Sequence, residues 1–179
     1  MRAFTPLLCF LVGVASPLTA QGAPQPPDTM ALGVFHALIG QWEGKAWMMT
    51  QVGRQDVRQR ETVRRAAGGT VISFEGLGTM PLPGGGDRVV HDAYGLVFLD
   101  HDGKTPRMRA FKADGNWLDM ELSVSPTSYT WKMTDPRAGL IRYEMSMAPG
   151  AAWVEKGFMS RDEGKSWIQF FEMTLNRVR

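Results

Sequence analysis

Four glutamates, Glu61, Glu75, Glu155 and Glu172, stand in mid-strand stretches among apolar or aromatic neighbours and are the residues best placed to do chemistry. A carboxylate turned inward is costly unless it is paired, and Arg109, Arg142 and Arg177 are the candidate partners. His91, beside Asp92, adds a group that titrates near neutral pH. Three uses fit such a set: an internal salt-bridge network that fixes strand register, a polar grip on a small ligand, or a general acid–base pair. Glu61, Glu75, His91, Arg109, Glu155 and Glu172 are therefore the candidate ligand-binding residues. The register-fixing network is the plainer reading of the same residues.

No motif assigns a reaction. The histidines at 36, 91 and 101 share neither a strand face nor a helical spacing, and no HExxH or HxH pattern supplies matched metal ligands. Asp100-His101-Asp102-Gly103 has the opening of a calcium loop without its third acid or its closing Glu, so a hairpin turn is expected. There is no G-x-S-x-G, Cys–His pair, phosphate loop or dinucleotide glycine pattern, and Gly84-Gly85-Gly86 lacks the Lys-Ser/Thr of a phosphate site. No catalytic residue, metal ligand or cofactor is assigned.

Residues 1–20 read as a cleavable signal peptide. Arg2 gives a positive start, Ala3 to Ala15 is mostly apolar, and Pro17-Leu18-Thr19-Ala20 offers a small-residue cleavage site. The apolar run is too short to span a bilayer, which takes roughly twenty residues. Cys9 lies in the middle of that run rather than at its end, which argues against a lipoprotein. Residues 21–29 form a Pro-rich spacer, leaving 30–179 as one domain. Cys9 is the sole cysteine, so the mature domain would hold together by core burial without disulfides. The formal charge of +2 falls to +1 when Arg2 leaves, which speaks against a nucleic-acid footprint or a polybasic membrane anchor. No integral membrane contact is expected after cleavage, the expected location is periplasmic or secreted, and the oligomeric state is left open.

The elements that must position the candidates are mostly strands. Met30 to Ile39 places Leu32, Phe35, His36 and Ile39 at helical spacing, with Asp28 or Thr29 as N-cap and Gly40 as stop. Beyond it the chain runs in short stretches rich in Val, Ile, Phe, Tyr, Trp and Thr between turn signals. Nine turns, among them Asp102-Gly103 and Asp114-Gly115, imply ten strands at 41–51, 56–66, 70–79, 88–99, 104–112, 116–123, 128–134, 140–147, 152–160 and 166–177. Alternation is clear where Ile141, Tyr143, Met145 and Met147 interleave with Arg142, Glu144 and Ser146. Ten sequential antiparallel strands would leave exposed edges unless they close on themselves. The expected fold is all-β: a single antiparallel up-and-down β-barrel of about ten strands, preceded by a short N-terminal helix.

Two motifs carry structural roles. The short helix followed by Gly40-Gln41-Trp42 resembles the start of lipocalin-like and nitrobindin-like barrels of the calycin group, and the resemblance implies that Trp42 plugs the closed end. Ser160, Asp162, Gly164 and Trp167 fit the Asp-box S-x-D-x-G-x-x-W. In that motif the Ser and Asp oxygens take backbone N–H groups across a hairpin, Gly supplies an unusual dihedral and the aromatic packs beneath. One copy suits a hairpin, since a propeller needs several.

Over residues 36–179 the chain also resembles a bacterial calycin-like domain family of unknown function. The matching segments are LIGQWEG (38–44), ETVRRAAGGTVISFEGLG (61–78), VVHDAYGLVFLD (89–100), WVEKGFMSRDEGKSW (153–167) and FFEMTLNR (170–177). The nitrobindin likeness would imply haem held by a histidine near the C-terminus. Here Glu172, Met173, Leu175 and Arg177 occupy that strand with no histidine, so haem is disfavoured. The leading expectation is an exported binding barrel for a small, largely apolar molecule, with Glu and Arg groups fixing its polar end. Its rivals are a structural or interaction protein of the envelope and a small-substrate enzyme using a lumen Glu or His as general acid–base.

Overall fold

A computed structural model describes residues 32–147 and 152–178. The leader, the Pro-rich spacer, the N-cap candidates Asp28 and Thr29, and the Pro149-Gly150 turn lie outside the described residues. Helix α1 (Gly33–Leu38) is followed by strands β1 (Gly40–Thr50), β2 (Gly53–Ala66), β3 (Val71–Pro81), β4 (Asp87–Leu99), β5 (Pro106–Lys112), β6 (Trp117–Glu121), β7 (Ser123–Val124), β8 (Ser128–Asp135), β9 (Gly139–Met147), β10 (Trp153–Ser160) and β11 (Ile168–Val178). They form one antiparallel sheet in the order β6-β5-β4-β3-β2-β1-β11-β10-β9-β8-β7, an up-and-down and nearly closed barrel.

The expected ten strands become eleven at one point. The segment 116–123 is divided: Trp117–Glu121 pairs with β5, and Ser123–Val124 pairs with β8. Between them Leu122 is buried and its N–H donates to the Pro106 carbonyl at 2.9 Å. One chain segment thus leaves one edge of the sheet and joins the other. That switch brings β6 beside β8 without a ladder between them, and it closes the barrel as a corner does in a twisted sheet.

Alternation along each strand decides which side chains meet in the interior. On β2, Val57, Gln59, Glu61 and Val63 are buried, whereas Arg58, Arg60 and Arg64 face out and pair with Asp87, Glu43 and Glu75. The basic run of β2 is therefore a solvated, ion-paired face.

The closed end is built from α1 and two tryptophans. Leu32, Val34, Phe35 and Leu38 of the helical segment are buried, and Phe35 stacks on Tyr129 with ring centroids 4.8 Å apart. Trp42 and Trp153 meet edge-on at 5.9 Å, and Trp42 Nε1 donates to the Leu38 carbonyl at 2.7 Å. Burying side chains of this size contributes about 1.5–3 kcal/mol each. Arg177 lies over the Trp42 ring at 4.3 Å and donates to the carbonyls of Ala37 and Ile39, satisfying the C-terminal end of α1. Gly40 follows with φ of 139°, the bend that turns the helix exit into β1.

Candidate functional site

Above this plug the barrel encloses a cavity of about 320 Å³. Its wall is mainly apolar and aromatic, including Met48, Met108, Met120, Trp131, Tyr143, Phe171 and Met173. Trp131 and Tyr143 stack at 4.4 Å with nearly parallel rings. Against this wall stand the polar side chains of Gln59, Glu61, His91, Lys112, Tyr129 and Glu155.

The polar group is assembled from five strands, β2, β4, β5, β8 and β10. Inward alternation on β2 presents Gln59 and Glu61, and Gln59 Nε2 donates to Glu61 Oε1 at 2.7 Å. Across the lumen, Tyr129 on β8 donates its hydroxyl to Glu155 Oε2 on β10 at 3.2 Å. Trp153 lies next to Glu155, and its indole N–H is buried with no hydrogen-bond partner of normal geometry. Its nearness nonetheless favours the charged form of Glu155. Among the described residues, Glu61 Oε2 and Glu155 Oε1 accept no hydrogen bond.

Room for these groups comes from glycines on β3. A Cβ at Gly76 would lie 2.8 Å from Glu61 Oε1, 3.0 Å from Oε2 and 3.1 Å from His91 Nε2. At Gly78 it would lie 2.6 Å from Gln59 Oε1 and 2.9 Å from His91 Cβ. The Glu61 carboxyl and the His91 ring converge on space that any larger residue of β3 would occupy. A glycine inside a strand weakens it, and here it marks close approach of neighbouring side chains.

Burial controls the protonation of the cluster. Desolvation raises the Glu61 pKa to about 8, with the neighbouring Glu155 charge adding to the rise and the Gln59 hydrogen bond opposing it. Glu155 is raised to about 7, again chiefly by desolvation, with Tyr129 and Trp153 opposing. The accessible surface that Glu155 retains is cavity wall. Tyr129 and Tyr143 are both raised by burial and by Glu155. His91 shows one side to solvent and packs the other over Gly76 and Gly78; desolvation lowers its pKa, Asp92 opposes this and Lys112 adds to it.

Of the six candidates named from sequence, Glu61, His91 and Glu155 come together at the cavity, and Glu75, Arg109 and Glu172 do not. Glu75 lies between Phe74 and Gly76, both cavity-lining, so alternation turns it outward onto Arg64. Arg109 lies between Met108 and Ala110 and for the same reason points out, where it grips Asp119 at 2.5 Å. Glu172, between Phe171 and Met173, takes the Gln169 amide at 2.7 Å on the outer face, with Lys156 at 3.9 Å. The expected Glu–Arg pairing inside the barrel is absent among the described residues. Arg142 packs outside against Trp167 and beside Glu144, and Arg177 holds α1.

Trp42 lies at the closed end, as described above. In the 160–167 hairpin, Ser160 Oγ accepts from the Gly164 N–H at 2.8 Å and Asp162 Oδ1 accepts from the Ser166 N–H at 2.9 Å. Gly164 has φ of 90°, and Trp167 Nε1 donates to the Gly164 carbonyl at 3.1 Å. This hairpin lies at the open rim, where the loops after β1, β3, β5, β8 and β10 gather. The Asp100–Gly103 segment is a turn in which Asp102 Oδ1 accepts the N–H groups of Lys104 and Thr105, each at 2.8 Å.

Sequence reasoning missed Tyr129, Gln59 and the two glycines of β3. Gly76-Leu77-Gly78 inside an otherwise bulky strand was the available signal, since two glycines at strand spacing vacate one face. Tyr129 had none, because its partner lies two strands away.

No protein-family model and no curated protein sequence matches the chain. Among solved structures, the fold is similar to the crystal structure of Rv2717c from M. tuberculosis, at 13% identity and a TM-score of 0.58 over 83% of this chain and 98% of that one. Weaker likenesses are to EF1p2_mFAP2b bound to DFHBI, at 16% identity and TM-score 0.37 over 83% of this chain and 99% of that one. A DUF3598-family protein of unknown function from Nostoc punctiforme follows at 8% identity and TM-score 0.29, over 84% and 100%. The first of these is a likeness of fold, that of the antiparallel barrel.

Proposed function

We propose that this protein is an exported barrel that holds a small, largely apolar molecule in its lumen, polar end against the Glu61, Glu155 and Tyr129 cluster. The observation that carries the reading is the cavity itself: about 320 Å³, apolar and aromatic over most of its wall, with few polar side chains, Glu61, Glu155 and Tyr129 among them. Ligand pockets are built this way and start at about 300 Å³. The leader-like first twenty residues motivate export. Native mass spectrometry of the mature protein purified from its own host is the test. A mass excess that disappears on solvent extraction supports binding, and a bare polypeptide that takes up no small apolar compound overturns it. Fractionation with N-terminal sequencing tests export, with Gln21 as the expected first residue.

A second reading is an enzyme on the same cavity. It is favoured by two enclosed carboxyls, raised to about 8 and about 7, that no arginine neutralises among the described residues. Either group could exchange a proton with a bound molecule near neutral pH. Turnover lost in Glu61→Gln with ligand retention unchanged would favour this reading over simple binding.

A further inference from the structure

We propose that the lumen selects organic cations: small aromatic or aliphatic molecules ending in a protonated amine, whose charge is held between Glu61 and Glu155. The inference rests on the binding role proposed above and names its ligand class.

Among the described residues, the cavity lacks counter-charge for its carboxyls. Two glutamates three strands apart, on β2 and β10, line one cavity, and no arginine lines it among the described residues. Lys112 is the one lysine on the wall. It is exposed at the mouth, and its ammonium lies 3.3 Å from Asp114 outside the lumen. Each glutamate has one oxygen held by a protein donor and one that accepts nothing among the described residues. An ammonium group supplies both the positive charge and the donors that these oxygens lack.

The rest of the cluster suits the charged form of the carboxyls once a cation is present. Tyr129 already donates to Glu155, and the buried Trp153 N–H beside it has no other partner. The stacked pair Trp131 and Tyr143 gives the wall aromatic surface, which favours a neighbouring cation electrostatically. An anionic head would meet two carboxyls, a peripheral lysine and the His91 ring, whose charged form desolvation disfavours. A neutral hydroxyl would gain hydrogen bonds but no charge pairing.

The test is calorimetric titration of the mature protein at pH 7 with three matched probes: 2-phenylethylamine, 2-phenylethanol and 3-phenylpropanoate. The amine is expected to bind at least tenfold more tightly than the alcohol, with the acid weakest. The double variant Glu61→Gln, Glu155→Gln is expected to lose at least tenfold for the amine and to leave the alcohol within twofold. Glutamine keeps the shape, and a circular dichroism melt verifies that the variant is folded. Equal binding of amine and alcohol, or tightest binding of the acid, overturns the cation preference and leaves the binding barrel standing. If none of the three binds, both readings fall.

Discussion

Trp42 and Glu61 are directly opposed partners in the β1–β2 ladder, so the plug of the closed end and a carboxyl of the cavity belong to one cross-strand pair. Removing the indole therefore changes both stability and acidity. Trp42→Ala is expected to cost about 3–5 kcal/mol in denaturant unfolding, through lost burial and the cavity left behind. It also admits water beneath Glu61, and the carboxyl pKa falls from about 8 toward its ordinary 4.5, which carbon-detected NMR titration would follow.

Stability is expected to decline as pH rises from 5 to 8. Glu61 and Glu155 have folded pKa values of about 8 and about 7, above their unfolded 4.5. The native state binds more protons than the unfolded one across that window, so their contribution is full below about 4.5 and lost as pH passes 7 to 8. His91 and His36 act in the opposite sense, because their lowered pKa values remove stability as pH falls through 6.5. Tyr129 and Tyr143, both raised by burial, stay neutral over the range. Thermal melts read the slope. Glu61→Gln with Glu155→Gln should flatten it between about pH 5 and 8, where the folded and unfolded carboxyls differ in protonation, and an unchanged slope would show that the carboxyls titrate normally.

Gly76→Ala and Gly78→Ala separate ligand space from fold. At Gly76 the new methyl meets the movable ends of Glu61 and His91, so the expected result is a stable protein with displaced carboxyl and weakened ligand uptake. At Gly78 it meets His91 Cβ, which is fixed to the backbone, and destabilisation of about 1–3 kcal/mol is expected. Equal melting temperatures for the two variants would contradict this ordering.

Tyr129→Phe removes the donor to Glu155 and keeps the ring that stacks on Phe35. The expected cost is about 1 kcal/mol. The Glu155 pKa should rise further above 7, since the lost hydrogen bond favoured its charged form. A fall would mean that the hydroxyl acts otherwise.

The sequence carried the strands well, because bulky β-formers between Asp-Gly and Gly-Gly turns leave little choice of period. It missed the division at Leu122, since a change of hydrogen-bonding partner needs no turn residue. For the site, alternation was the readable part. Glu61 and Glu155 share their strand faces with Val57, Val63 and Trp153, whereas Glu75, Arg109 and Glu172 sit one residue off the inward face. Applied position by position, the same period-two rule would have rejected those three. The Tyr129 and Glu155 contact was illegible because their separation in sequence says nothing of barrel closure.

The seam at Leu122 has a consequence for the chain's connectivity. Every ladder joins sequential strands except β1 with β11, where Gln41 faces Val178. The two ends of the barrel's chain thus lie at the centre of the sheet, and its two edges fall in mid-sequence. A circular permutant cut at Leu122, with its old ends joined, would keep every ladder and turn the one distant pairing into a local hairpin. Such a rewired chain should fold faster than the parent, because its slowest search, first strand for last, would have been removed.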